Sequence, residues 1–225
     1  MKMTRRLAPL VATLLCLGAG TATPAAASLT QLLAPGASIT ADGLVFDNFT
    51  YTPTGQMPDA TAVTVNAIVD AVGNPGIRIT GAFTDAPGDS GSDAVLTYRV
   101  TSLGAPLTDA HLFGNPLVVG GPGAIAVVET LDLLPVRQMT IFDNELTGGT
   151  HATRTSDAVT FAAAQSIHPV FKDIEAFSQG GFPTLSFVDQ TYSRGGVVPE
   201  PSSAVLMGTG VVALLGVLWR RRRSA

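Results

Sequence analysis

Cysteine is nearly absent from this 225-residue chain, Cys16 being the only one. A domain downstream of it can form no disulfide and must be held by its packed core. Aromatic residues are also few, at 6% of the chain, and the single tryptophan, Trp219, lies close to the C-terminus. A broad platform of exposed tryptophans, of the kind that stacks on sugar rings, is thereby excluded. Long apolar runs are missing from the interior and occur only at the two ends. Basic residues are scarce between those ends. From Ser28 to Val198 only six Lys and Arg stand against 16 Asp and Glu, a net charge of −10, although the whole chain carries −4. A surface of that sign disfavours nucleic acid and anionic lipid as partners.

The N-terminus opens with Lys2, Arg5 and Arg6, runs apolar from Leu7 to Leu17, and breaks at Pro24 before Ala25-Ala26-Ala27. This is the order of a secretory signal peptide. With Ala25 and Ala27 as the two small pocket residues, cleavage by signal peptidase is expected between Ala27 and Ser28. The apolar run is too short for a membrane anchor, which needs roughly 20 residues. Leu17 after Cys16 is a poor fit to a lipoprotein site, where a small residue follows the cysteine.

At the other end, Ala204 to Trp219 is uncharged and is followed by Arg220, Arg221, Arg222 and Arg223. A helix over this stretch would measure about 24 Å, a little short of the roughly 30 Å hydrocarbon core, so flanking residues would complete a short transmembrane helix. Clustered arginines resist translocation and keep the tail on the cytoplasmic side. Just upstream, Pro199-Glu200-Pro201 cannot enter a regular helix or a strand ladder, which leaves the peptide extended and open to a protease. The three parts together resemble the PEP-CTERM sorting domain of Gram-negative bacteria. That resemblance implies recognition by an exosortase, a membrane cysteine transpeptidase, with cleavage at or near Pro199-Glu200-Pro201. It further implies transfer to the cell surface, usually in bacteria that make exopolysaccharide. Segments such as Gly43 to Phe49, Ser92 to Val100 and Lys172-Asp173-Ile174 are similar to patterns in the all-β ectodomains of that family.

Between the ends the pattern has period two. Val63, Val65, Ala67 and Val69 form one apolar face, Ile77, Ile79 and Phe83 another, and Leu96, Tyr98 and Val100 a third. Further strands are expected at 44–51, 107–113, 124–131, 136–142, 158–161 and 170–177, and around Leu185 and Phe187. Phe46 and Phe49 are an odd number apart, which predicts a β-bulge at Asp47-Asn48. Gly73-Asn74-Pro75-Gly76, Gly114-Asn115-Pro116 and Gly120-Gly121-Pro122-Gly123 mark turns. About ten short strands without crossover helices predict an antiparallel β-sandwich or a jelly-roll-like ectodomain, flanked by an N-terminal signal helix and the C-terminal short transmembrane helix.

Candidate chemistry is sparse. Gly88-Asp89-Ser90-Gly91 matches a serine-protease nucleophile motif at four letters, but no histidine precedes Ser90, and a turn of Gly, Asp and Ser is ordinary hairpin chemistry. Asp85, Asp89 and Asp93 fall four apart on the same loop and could offer oxygens to Ca²⁺. Their spacing does not fit an EF-hand, and solvated acids on a hairpin tip are the favoured reading. His111, His151 and His168 lack metal-ligand spacing, and His168-Pro169 is expected at a strand edge or turn. Asn48-Phe49-Thr50 is taken as a chance glycosylation triplet.

The expected organisation is a signal peptide (1–27), an acidic all-β ectodomain (28–192), a linker holding the Pro-Glu-Pro motif (193–203), a transmembrane segment (204–219) and a cytoplasmic arginine cluster with the terminus (220–225). The expected function is that of an exported surface or matrix protein with no catalytic residues and no cofactor. Its expected partners are signal peptidase, an exosortase, the inner membrane before processing, and exopolysaccharide. The alternative is a polysaccharide- or Ca²⁺-binding sandwich module.

Overall fold

The computed structural model describes residues 26–88, 91–132, 135–146 and 149–195. The signal segment and the sorting tail, including both expected terminal helices, lie outside the described residues. Among the described residues no helix is long and apolar enough to cross a membrane.

Among the described residues fourteen strands form two seven-stranded antiparallel sheets. The first sheet runs in the order β1 (Ala26–Ser28), β4 (Thr64–Val69), β5 (Pro75–Thr84), β14 (Phe182–Arg194), β7 (Leu107–Gly114), β12 (Ser156–Gln165), with β8 (Leu117–Val119) also paired to β14. The second runs β11 (Ala152–Arg154), β10 (Arg137–Asn144), β9 (Gly123–Leu131), β13 (Ile167–Ser178), β6 (Ser92–Ser102), β3 (Leu44–Thr54), β2 (Ser38–Ala41). A one-turn helix, α1 (Leu29–Leu32), follows β1. Ser28 caps it in a capping box, its hydroxyl accepting from Gln31 N while Gln31 Oε1 accepts from Ser28 N.

The alternation read from the sequence is the alternation of burial. In β6, Ala94, Leu96, Tyr98 and Val100 point inward and Asp93, Val95, Thr97 and Arg99 point out. The expected bulge is present: pairing of β3 with β6 shifts between Asp47 and Thr50, and Asn48 takes a left-handed φ of 55°. The extra residue returns Phe49 to the inner face, where its ring stacks on Tyr98 at 5.4 Å. The core lies between the sheets and holds an aromatic cluster of Phe46, Phe49, Tyr98 and Tyr192.

Three expectations change. The segment between Thr84 and Ser92 does not close a hairpin, because β5 before it lies in the first sheet and β6 after it in the second. β14 continues to Arg194, and Gly195 N donates to Pro106 O, so the expected domain boundary at 192 falls inside a strand. His168-Pro169 belongs to β13. Pro169 pairs with Arg99 of β6 one residue before the β9 ladder begins at Val170, and His168 is buried in the core. The expected signal-peptidase bond, Ala27–Ser28, lies within the described part of the edge strand β1.

At Gly76 the backbone of β14 leaves no room for a side chain on β5. A Cβ there would overlap the Gln190 carbonyl and sit 2.7 Å from Thr191 Cα. Gly76→Ala is expected to cost about 2 kcal/mol or more through overpacking, read as a lower denaturant midpoint. An unchanged midpoint would contradict the packing of β5 on β14.

Candidate binding surfaces and the sorting signal

The outer face of the first sheet carries a groove of about 630 Å³. Its floor comes from β7, β12 and β14, which present His111, Phe113, Asp157, Asp189 and Thr191, and its rim from the turn at Asp70 to Asn74. Phe113 is 45% exposed and packs against Phe187 at 5.8 Å. The guanidinium of Arg78 lies 4.3 Å from the Phe187 ring centre and donates twice to Asp189, at 2.7 Å each. Asp70 builds the rim. Its carboxylate accepts from Val72 N, Asn74 N and Asn74 Nδ2. Burial opposes its charge, but these bonds outweigh burial and hold its pKa below the usual range.

The acids of this groove are all engaged. Asp189 is held by Arg78, Asp157 by Arg154 and Asp70 by Val72 N and Asn74, and beside the groove Asp109 lies 2.9 Å from His111 Nε2. Asp157 also accepts from Thr140 N and Ala158 N. The groove therefore offers a ring face and polar groups of fixed orientation.

Of the three aspartates singled out as Ca²⁺ candidates, two are described, and they face different surroundings. Asp85 is fully buried at the sheet-to-sheet corner, accepting from Ser92 Oγ at 2.7 Å and Ser178 N at 2.9 Å. Asp93 points outward on the second sheet, and Asp89 lies outside the described residues, as does Ser90. Among the described residues no group of three metal-ligating side chains is assembled. The histidines also diverge. His111 is on the outer face of the first sheet and His168 is in the core. His151 reaches the buried Asp143 at 2.8 Å, where the carboxylate also accepts from Thr153 Oγ1 and Val118 N. Burial works against the charge of Asp143, and these donors lower its pKa despite that.

Asp93 instead meets Asp173 and Glu175 across the β6–β13 ladder, with Phe177 40% exposed beside them. Sequence reasoning missed this patch because its members come from strands about 80 residues apart. The signal was nevertheless available in the outward positions of two facing strands. Partial burial, together with the neighbouring Asp93 and Glu175 charges, raises the Asp173 carboxyl to about 7.

The PEP-CTERM protein-sorting motif matches residues 197–223. The chain carries a PEP-CTERM sorting signal. The motif contains Pro199, Glu200 and Pro201 together with Arg220 to Arg223, all outside the described residues, and it begins two residues after the last of them. PEP-CTERM signals imply an exported, membrane-anchored precursor that an exosortase processes. No curated protein sequence matches the chain. Among solved structures, the domain is loosely similar to TmCBM61 in complex with β-1,4-galactotriose, with TM-score 0.33 and 9% identity over 66% of this chain and 89% of that one. It is also similar to the enzymatically active domain of tailspike protein 4 of bacteriophage CBA120, with TM-score 0.24 and 15% identity over 62% and 19% of the two chains. A third likeness is to protein SO0799 of Shewanella oneidensis, with TM-score 0.20 and 16% identity over 58% and 73%.

The acidic patch predicts a pH dependence. A carboxyl whose folded pKa lies above its unfolded value binds more protons folded than unfolded, so stability falls as pH rises towards and through about 7. His168, lowered to about 4 mainly by burial, acts in the opposite sense and only below its ordinary 6.5. Between pH 6.5 and 8 the Asp173 effect should therefore stand alone of the two. The melting temperature is expected to drop across that range in the native chain and to stay level in Asp173→Asn. An equally steep drop in the variant would refute the assignment.

Proposed function

We propose that the mature domain works outside the inner membrane as a non-enzymatic component of the cell surface or extracellular matrix, in company with exopolysaccharide or biofilm. The PEP-CTERM motif at residues 197–223 is the observation that carries this reading. In this scheme the apolar segment and the arginines hold a stalled, oriented precursor. Pro199-Glu200-Pro201 presents an extended peptide to the exosortase, and signal peptidase removes the N-terminal segment after Ala27. The acidic sandwich is released with a charge that favours solubility and discourages self-association.

Glu200→Ala should block processing. The variant is expected to stay in the membrane fraction with its tail attached, while the native protein is recovered with a C-terminus at or near the motif. Mass spectrometry of both decides the matter, and an identical mature C-terminus in the two would sink the processing claim.

A second reading, polysaccharide binding, is favoured by one feature, the Phe113 ring exposed in a groove lined by His111, Asp157 and Thr191. Stacking on a ring contributes about 1 kcal/mol, so Phe113→Ala should weaken binding of exopolysaccharide purified from the producing cells by roughly five- to tenfold. Equal retention of native and variant protein on that polymer would remove this reading and leave the surface role standing. The Ca²⁺ variant of the reading expects a lower melting temperature on chelation, and an unshifted melt rejects it.

A further inference from the structure

The centre of the sandwich holds two opposite charges that the surface role does not use. Glu129 on β9 and Lys172 on β13 are register partners in the second sheet, and both are 0% exposed. Glu129 Oε2 touches Lys172 Nζ. From the opposite sheet Gln190 of β14, also fully buried, brings its Oε1 to 2.7 Å from the same Nζ. Burying such a pair is costly, and it is tolerated when the remaining polar atoms are satisfied. Here they are not. Among the described residues neither Glu129 Oε1 nor Gln190 Nε2 has a hydrogen-bond partner. A fully buried carboxamide nitrogen with no acceptor calls for an explanation.

The three groups are the components of an acyl transfer. Lys172 is a nucleophile, the Gln190 carboxamide an electrophile with ammonia as its leaving group, and Glu129 a proton carrier in contact with the nucleophile. Burial pushes the Lys172 ammonium well below its ordinary pKa, against the opposing charge of Asp189, and so favours the neutral amine.

We propose that Lys172 and Gln190 join as an intramolecular isopeptide, with Glu129 relaying the proton. The lysine ammonium first passes a proton to the Glu129 carboxylate, leaving a neutral amine and a neutral acid. The Nζ lone pair adds to Gln190 Cδ and forms the new C–N bond, with the electron pair of the carbonyl moving onto Oε1. Glu129 gives its proton to Nε2 and takes one from Nζ. The carbonyl reforms as the Cδ–Nε2 bond breaks and ammonia leaves. Starting from the ion pair, the products are a secondary amide, a protonated Glu129 and one ammonia, with no oxidant, reductant or cofactor required. Fixing amine and carboxamide on facing strands supplies the proximity that makes such a step unimolecular. The orphaned Nε2 departs with the leaving group.

The link would join the central strand of one sheet to the central strand of the other, since β13 and β14 each hold that position. It would do for this cysteine-free domain what a disulfide between the sheets does elsewhere. The proposal stands whether or not the surface role does.

The test is a tryptic digest of the full-length chain under denaturing conditions. An amide on Lys172 blocks cleavage there, so the expected product is one internally looped peptide, residues 155–194, lighter than its sequence by one ammonia. That segment contains no asparagine and begins with threonine, so the usual routes to ammonia loss, succinimide at asparagine and ring closure at an N-terminal glutamine, are closed. Glu129→Gln keeps the side-chain shape without the proton carrier. It is expected to fold, by circular dichroism, and to yield separate peptides 155–172 and 173–194 at full mass. Separate full-mass peptides from the native chain would overturn the proposal. So would loss of one water with Lys172 joined to the 100–137 peptide, which would place the bond on Glu129. An undiminished link in folded Glu129→Gln would overturn the relay.

Discussion

Burial between two sheets is the main force holding together a domain without cysteine, and the rest of this structure follows from keeping that interface sealed. Each strand must send every second residue inward, so any irregularity in the sequence has to be absorbed by the backbone. The bulge at Asn48 does this for β3, where one left-handed residue returns Phe49 to the ring of Tyr98. Asp85 does it at the corner between sheets. A carboxylate fully out of water is tolerated there because it takes the hydroxyl of Ser92 and the backbone N–H of Ser178, and thereby ties β6 and β13 to the crossing segment.

The outer faces are organised by a different rule. Charges there pair across neighbouring strands. Arg99 grips Asp47 with two hydrogen bonds on the second sheet, and Arg78 grips Asp189 in the same way on the first. With only six basic residues between Ser28 and Val198, most acids must find hydroxyls, amides or other acids instead. Asp143 and Asp70 take the first course, and Asp93 with Asp173 takes the second. The net charge read from the sequence therefore has structural consequences: Asp70 and Asp143 are anchored by backbone donors, and Asp173, pressed against Asp93, has its pKa raised.

Much of the fold was legible because period-two alternation is a direct physical consequence of a half-buried strand. The strands around Val65, Ile79, Tyr98, Val127 and Ile174 all lie where alternation places them. The short strands β2, β8 and β11 were not legible, since three or four residues hold too little pattern to stand out from a loop. Pairing order was also hidden, and with it the fact that the chain changes sheets between Thr84 and Ser92. For the same reason the groove and the acidic patch could not be foreseen: Asp70, His111 and Asp157, or Asp93 and Asp173, meet only once the strand order is known. The sorting tail is the reverse case, because its meaning lies in the linear order of Pro-Glu-Pro, apolar run and arginines.

The buried lysine shows where pattern and chemistry part company. Val170, Lys172 and Ile174 share a face, as do Val127, Glu129 and Leu131, so alternation alone puts both charges in the core. A reading by residue type puts them on the surface, and the structure sides with alternation. Keeping that pair and the unpartnered carboxamide nitrogen inside costs stability that a hydrophobic trio of the same volume would not. Export supplies a reason to retain them. A PEP-CTERM signal implies an exported precursor, and in a domain without cysteine no disulfide can lock the two sheets together. A bond formed by three buried side chains needs no cysteine, and it can form only once both sheets have packed and brought Lys172 to Gln190.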